Sequence, residues 1–340
     1  MIEEIINHLF EQERGLHDFG DGNGPVPAHR HRNPNGSLGG WVAETAYVDD
    51  TCHIGPDATV FGNAEVYGEV WLRDKAKVYG EAQVDDQVWI SRDAEVYGQA
   101  KVYGEARIGW SAKVFDGAEI SGKVMVGGSA KAYGDARIRD EASIDQEAQV
   151  FGEALVSGKA IVVEEAKVYG QARVSGEAQV CNQAEVYGRA RVSGYAKILQ
   201  HAKIHERAKV WECATVSGHA IVGGRAEVRG QAVVTDHAVV KDLAKVLGNA
   251  QVTGDTVVSG EMRVGIPRRE VAFWDIQVAS DLFFDRADEL GYEPTPLNFE
   301  DFMAWLKSLS FEPMSLTQLQ DYISKKLEDW AKSGRFEGAE

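Results

Sequence analysis

An aliphatic residue at every sixth position is the feature of this chain that most limits how it can fold. From Val42 to Val264 there are 38 such positions, and 37 hold Val, Ile or Leu; only Ala132 departs. Two residues before each stands a small residue. Between 46 and 262 this slot is Ala in 31 of 37 cases, the exceptions being Cys52, Val70, Val88, Val124, Thr256 and Met262. Two residues after the aliphatic comes Gly in 20 of 34 cases between 62 and 260, with Asp, Glu or Asn as frequent replacements. The unit reads Ala-x-Val-x-Gly-x, as in Ala166-Lys167-Val168-Tyr169-Gly170-Gln171.

Side chains two apart in a strand share a face, so Ala and Val point inward while the residues flanking Val point out. Small Ala fits beside a tight corner and β-branched Val fills the middle of a flat side. Gly, Asn and Asp tolerate the positive φ of a sharp turn. Three strands and three turns close an 18-residue triangular coil, hydrogen-bonded to the coils above and below. About twelve coils fit between Val42 and Val264, a prism nearly 60 Å long at roughly 4.8 Å per coil. The expected fold class is an all-β solenoid with a small α-helical C-terminal segment.

The repeat resembles that of the hexapeptide-repeat superfamily, which includes acyltransferases and γ-class carbonic anhydrases. The resemblance covers about two thirds of the chain and implies a left-handed parallel β-helix. Similar regular repeat chains occur in bacteria and prophages as hexapeptide acyltransferase-like proteins. One fold serves many activities, so function has to come from particular residues.

Three segments are expected: an N-terminal helix and loop cap over 1–41, the β-helix over 42–266, and a helical domain over 267–340. Ile5, Ile6, Leu9 and Phe10 make an apolar helical stripe. Gly20 to Gly40 reads as a loop covering the first coil; within it His29-Arg30-His31 lacks a metal partner at ligand spacing, and Trp41 closes that end. Beyond Val264, Ser280, Asn298 and Ser315 read as helix N-caps, with Leu316, Leu319, Ile323, Leu327 and Trp330 on one face. These helices suit a cap over the open sheet edge, a trimer contact, or partner docking.

Because the frame never slips, residues 18 apart stack in columns. One outward column holds Phe61, Tyr79, Tyr97, Phe115, Tyr133, Phe151, Tyr169 and Tyr187. Stacked aromatics stabilise neighbouring strands, and contiguous aromatics mark interfaces, so this column is the expected binding surface for a protein partner or a second copy, possible trimers included. A mixed column from Lys77 to Lys203 runs beside it. A second column, His201, His219 and His237, offers a weak metal site or a row of solvated imidazoles. The carbonic-anhydrase ligand pattern fails: His201 and His205 are close, but the matching earlier position is Glu165.

Two activities compete with a scaffold role. The resemblance implies a coenzyme A-dependent acyltransferase, working in a groove between subunits, with His201, His205 or His219 as general base. Against it, no loop excursion interrupts the repeats, which leaves few places for a shaped pocket. The formal charge of -17, from 53 acidic and 36 basic residues, raises mimicry of DNA as a third reading. That balance argues against direct binding of nucleic acid or membrane. Lys and Arg are nevertheless interspersed with Glu along the coils, which weakens mimicry. The leading expectation is a non-enzymatic rigid scaffold that needs no cofactor, with coenzyme A or acetyl-coenzyme A only under the alternative. Cys52, Cys181 and Cys213 show no disulfide spacing, and Met1-Ile2-Glu3-Glu4 lacks the basic start of a secretory signal, so a cytoplasmic site is expected.

Overall fold

A computed structural model describes residues 13–265 and Lys325. The chain winds as a parallel β-solenoid with three walls, of 15, 13 and 12 strands. Each wall strand after the first coil's entry is two residues long, and each pairs in parallel with the strand 18 residues on, as Lys77 with Glu95 and Val78 with Val96. The register is the same to the last coil, where Lys245 faces Arg263. Val, Ile and Leu of the sixth-position series and the Ala slots fill the interior; almost all are fully buried. Ala132 is buried like its neighbours, and nothing in the structure explains its size.

Hydrogen bonding is vectorial. Outward residues donate their amides to carbonyls 17 positions later: Lys77 N to Ala94 O at 2.9 Å, Tyr79 N to Val96 O at 3.0 Å. Amides therefore point towards the C-terminal end, and the carbonyls that accept them point towards the N-terminal end.

The corners obey a rule stronger than the sequence suggests. All 34 residues of the Gly slot between 62 and 260 have positive φ, including 14 that are not Gly, Arg92 and Trp110 among them. Left-handed backbone costs an L-residue roughly 1 kcal/mol, so these side chains need compensation. Several provide it themselves. The carboxylate of Asp74 accepts from the amide of Arg92 at 3.0 Å, Asp86 does so for Gly104 at 2.9 Å, and Asp236 for Gly254 at 2.9 Å. Asn182 and Gln200 make the same bond to the next coil at 3.0 and 2.6 Å. Each satisfies a corner amide that the backbone ladder leaves over. Asp, Asn and Gln thus recur at corners because they tie one coil to the next.

The segment expected as a loop over 20–40 instead contains the strand Val26–Arg32 and the start of Leu38–Ala43. Strands β1 (Arg14–His17) and β2 (Val26–Arg32) form an antiparallel pair, and β2 pairs with β3 (Leu38–Ala43), which joins the first wall through Trp41 and Thr59. Expected covering of the first coil does occur, by strands and side chains together. The Asn33 side chain accepts from the Ile54 amide at 2.8 Å and donates to the Ile54 carbonyl at 3.1 Å, standing in for a missing strand. His31, buried, donates from Nε2 to the Cys52 carbonyl at 3.0 Å. Burial holds its imidazole below the ordinary histidine pKa. Gly40 lies so close to the first coil that a Cβ there would overlap the Ala58 carbonyl. Trp41 stacks on His17 at 4.8 Å. The open edge is closed.

Residues Met1–Gly265 form one compact unit and Ile266–Glu340 a second. The helices expected over 1–12 and 267–340 lie outside the described residues, apart from helical Lys325. Among the described residues, no helix is long and apolar enough to cross a membrane.

Candidate functional site

The aromatic column forms where the sequence places it, at the corner that ends each strand of the first wall. Its eight rings stack face to face, with centroids 4.7–5.0 Å apart and planes within 2–4° of parallel. The stack extends at both ends. Phe19, reaching from the N-terminal hairpin, lies 4.8 Å above Phe61, in the space left by Ala43. His205 lies 5.3 Å beyond Tyr187, and over it Gly223 ends the row, since a Cβ there would approach the imidazole to 2.5 Å.

Because each ring covers its neighbour, the faces are not open to solvent; Phe61 is buried and the other seven are half-buried. What the corner presents outward is ring edges and hydroxyls. Tyr79, Tyr133 and Tyr169 donate to Glu95, Gln149 and Glu185 at 3.1, 3.3 and 2.9 Å. Each acceptor lies 16 residues on. All three Phe of the column face Lys at that offset, namely Lys77, Lys131 and Lys167. Tyr97 and Tyr187 also face Lys at that offset, Lys113 and Lys203, so the neighbouring column does not by itself decide between Phe and Tyr. Burial, then the Glu95 carboxylate, pushes the Tyr79 phenol above its ordinary pKa; burial and the bond to Glu185 do the same for Tyr169.

The histidine column also forms, at the opposite edge of the same wall. His201 and His219 stack at 4.5 Å, and His219 and His237 at 5.1 Å, both within 3° of parallel. They line an open groove of about 740 Å³ with Glu147, Glu165 and Gln183. Ring nitrogens lie in the ring plane, so lone pairs in a parallel stack do not converge on one ion. Among the described residues, no group of three or more His, Cys, Asp or Glu is arranged to hold a metal.

His201 and His205 are not brought together. They flank the Lys203–Ile204 strand at opposite corners, one on His219 and the other on Tyr187. A general base needs a partner that fixes its tautomer. Among the described residues, the histidine side chains with hydrogen bonds are His29, to Glu44 at 3.1 Å, and His31. His201, His205 and His219 have none.

Two features lay in the sequence but were not followed along their columns. On the third wall His53 stacks on Trp71 at 3.7 Å and Trp71 on Trp89 at 5.3 Å, with the Arg73 guanidinium 4.9 and 4.5 Å from the two indoles. Nearby, Arg92 sits 3.4 Å from Trp110. Trp89, Trp110 and Met125 are 38%, 56% and 52% exposed, whereas no ring of the aromatic column is exposed. The second feature is a concentration of arginine on the second wall. Both signals were the 18-residue spacing.

These walls, corners and columns define a parallel β-solenoid whose chemistry sits on its outer surface. Comparison with known protein families and with curated proteins finds no match for the chain.

Proposed function

We propose that this chain is a non-enzymatic, rigid scaffold that binds a protein partner or a second copy of itself through its outer columns. The observation that carries this reading is the unbroken register: every outward side chain repeats at one coil spacing, on a backbone without side excursions between Val48 and Val264. Such a rod displays fixed rows of groups rather than enclosing a substrate. The aromatic corner stiffens it and offers phenol hydroxyls and ring edges beside the lysine and glutamate column. The exposed Trp89, Trp110 and Met125 add apolar contact of the kind that anchors interfaces.

The test compares the full chain with a Tyr97→Ser, Tyr133→Ser, Tyr169→Ser variant and a Trp89→Ser, Trp110→Ser variant. Sedimentation reports self-association and affinity capture from the native cell reports partners. The scaffold reading expects one variant to lose association while remaining folded. The histidine groove keeps an acyltransferase as the second reading. Calorimetric binding of acetyl-coenzyme A, with turnover lost on replacing His201, His205 or His219, would overturn the first reading in its favour.

A further inference from the structure

Several surface cations pair with a carboxylate one coil earlier: Lys113 with Glu95 at 3.1 Å, Lys123 with Glu105 at 3.3 Å, Lys159 with Glu141 at 3.7 Å. On the second wall three cations follow one another with no carboxylate between them. Arg173 lies directly opposite Arg191, and Arg191 opposite Lys209. One corner away Arg189, Arg207 and Arg225 follow each other at the same 18-residue step. Like charges on adjacent strands oppose each other. Among the described residues, none of these five arginines has a carboxylate within ion-pair reach; Arg189 reaches only Gln171, donating from Nε at 2.8 Å.

Two open grooves of about 840 and 910 Å³ run along this wall and share Arg189 and Arg191. Of the carboxylates that line them, Glu119, Asp135, Glu153, Glu227 and Glu261, one shows how an anion is held there. Glu227 lies between Lys209 at 3.7 Å and Lys245 at 2.9 Å, gripped from the coil before and the coil after. Among the described residues, no carboxylate is within ion-pair reach of the Arg173–Arg191 or Arg189–Arg207–Arg225 rows.

From these observations we infer that the arginine rows dock an extended acidic peptide segment of a partner protein. The inference rests on the scaffold reading and names the partner's chemistry. From Arg173 to Arg263 is five coil steps, about 24 Å at 4.8 Å per coil. A strand of about seven residues covers that length, with alternate side chains about 6.6 Å apart on one face. Acidic side chains at that spacing reach between guanidiniums of successive coils, and the planar fork of Arg takes a carboxylate in two parallel bonds. A single-stranded nucleic acid fits less well. It relies on aromatic platforms for its bases, and among the described residues Tyr103 is the one aromatic lining the two grooves.

The test is anisotropy of fluorescein-labelled decaglutamate titrated with the full chain, beside a decathymidine oligonucleotide with the same label. Decaglutamate binding is expected to weaken about tenfold or more in an Arg191→Glu, Arg207→Glu variant, and to weaken as salt rises. A Lys123→Glu, Lys159→Glu variant, carrying the same change in net charge elsewhere, should bind as the parent does. An Arg191→Gln, Arg207→Gln variant serves if charge reversal disturbs folding. Three results overturn the proposal: no peptide binding, equal loss in the control variant, or tighter binding of the oligonucleotide. Self-association that disappears on reversal, without peptide binding, would assign the wall to a second copy instead. If decaglutamate fails while the tyrosine or tryptophan variants still lose a partner, only the arginine wall is discarded; if all fail, the scaffold reading goes too.

Discussion

Truncating rings of the aromatic corner should reveal a nearest-neighbour stack. Tyr133 touches Phe115 at 4.9 Å and Phe151 at 4.8 Å. Each stacked contact contributes about 0.5–1.5 kcal/mol, so Tyr133→Ser, which loses two, should cost about 1–3 kcal/mol. Phe151→Ser also loses two, but one of them is shared. The double variant loses three contacts rather than four, and should be less destabilised than the sum of the singles by one contact, about 0.5–1.5 kcal/mol. Tyr79→Ser with Tyr169→Ser shares none and should add to within about 0.5 kcal/mol. Serine is compatible with the slot, since Ser259 occupies it in a later coil. Tyr133→Phe, which loses only the half-exposed bond to Gln149, should cost less than about 1 kcal/mol. Equilibrium urea unfolding followed by circular dichroism measures these variants and the Tyr79→Ser and Tyr169→Ser singles, provided the slope with denaturant is unchanged. Strict additivity for the adjacent pair, or equal coupling for the distant pair, would refute the stack as a stabilising unit.

Other consequences concern corners and the cap. Asp236→Ala should destabilise by about 1 kcal/mol, because the Gly254 amide loses its acceptor while the left-handed backbone remains; Asp236→Gly relieves that backbone and should cost less, as thermal midpoints would show. Asn33→Ala removes both bonds that cover Ile54, so hydrogen exchange at the Ile54 amide should accelerate and light scattering should rise as the sheet edge opens. His31 is held below its ordinary pKa by burial, so the unfolded chain takes up its proton first. Stability from this residue is present above about pH 6.5 and is lost as pH falls below that value through the lower pKa of the folded state. Urea midpoints from pH 7.5 to 5 should decline less in His31→Gln.

How much of this was readable in the sequence depended on whether a residue's partner sits at a fixed offset. The core, the aromatic corner and the histidine row all follow from counting in eighteens, and their geometry matches the count. The N-terminal hairpin did not show itself: Gly20 to Gly40 is punctuated by Gly and Pro, and its strands are specified by contacts to coil 1, such as Asn33 on Ile54, with no repeat to reveal them. The arginine wall was hidden differently. Read along the chain, Arg189 and Arg191 stand among Glu185 and Gln183; only winding separates the charges onto different walls. Net charge concealed the local field. Ring exposure was also out of reach, because a column of aromatics in sequence does not say whether faces or edges meet the solvent.

The constant register gives the molecule a property of a measuring rod. Two groups in one column are separated by whole steps of about 4.8 Å, and a partner gripping both has its span set by the number of intervening coils. Duplicating 18 residues anywhere between Val60 and Val246 would lengthen that span by one step and leave every later column on its own wall. An insertion of a single hexapeptide would instead turn everything beyond it by one wall, so that the arginine rows would no longer share a wall with Glu65 and Glu119.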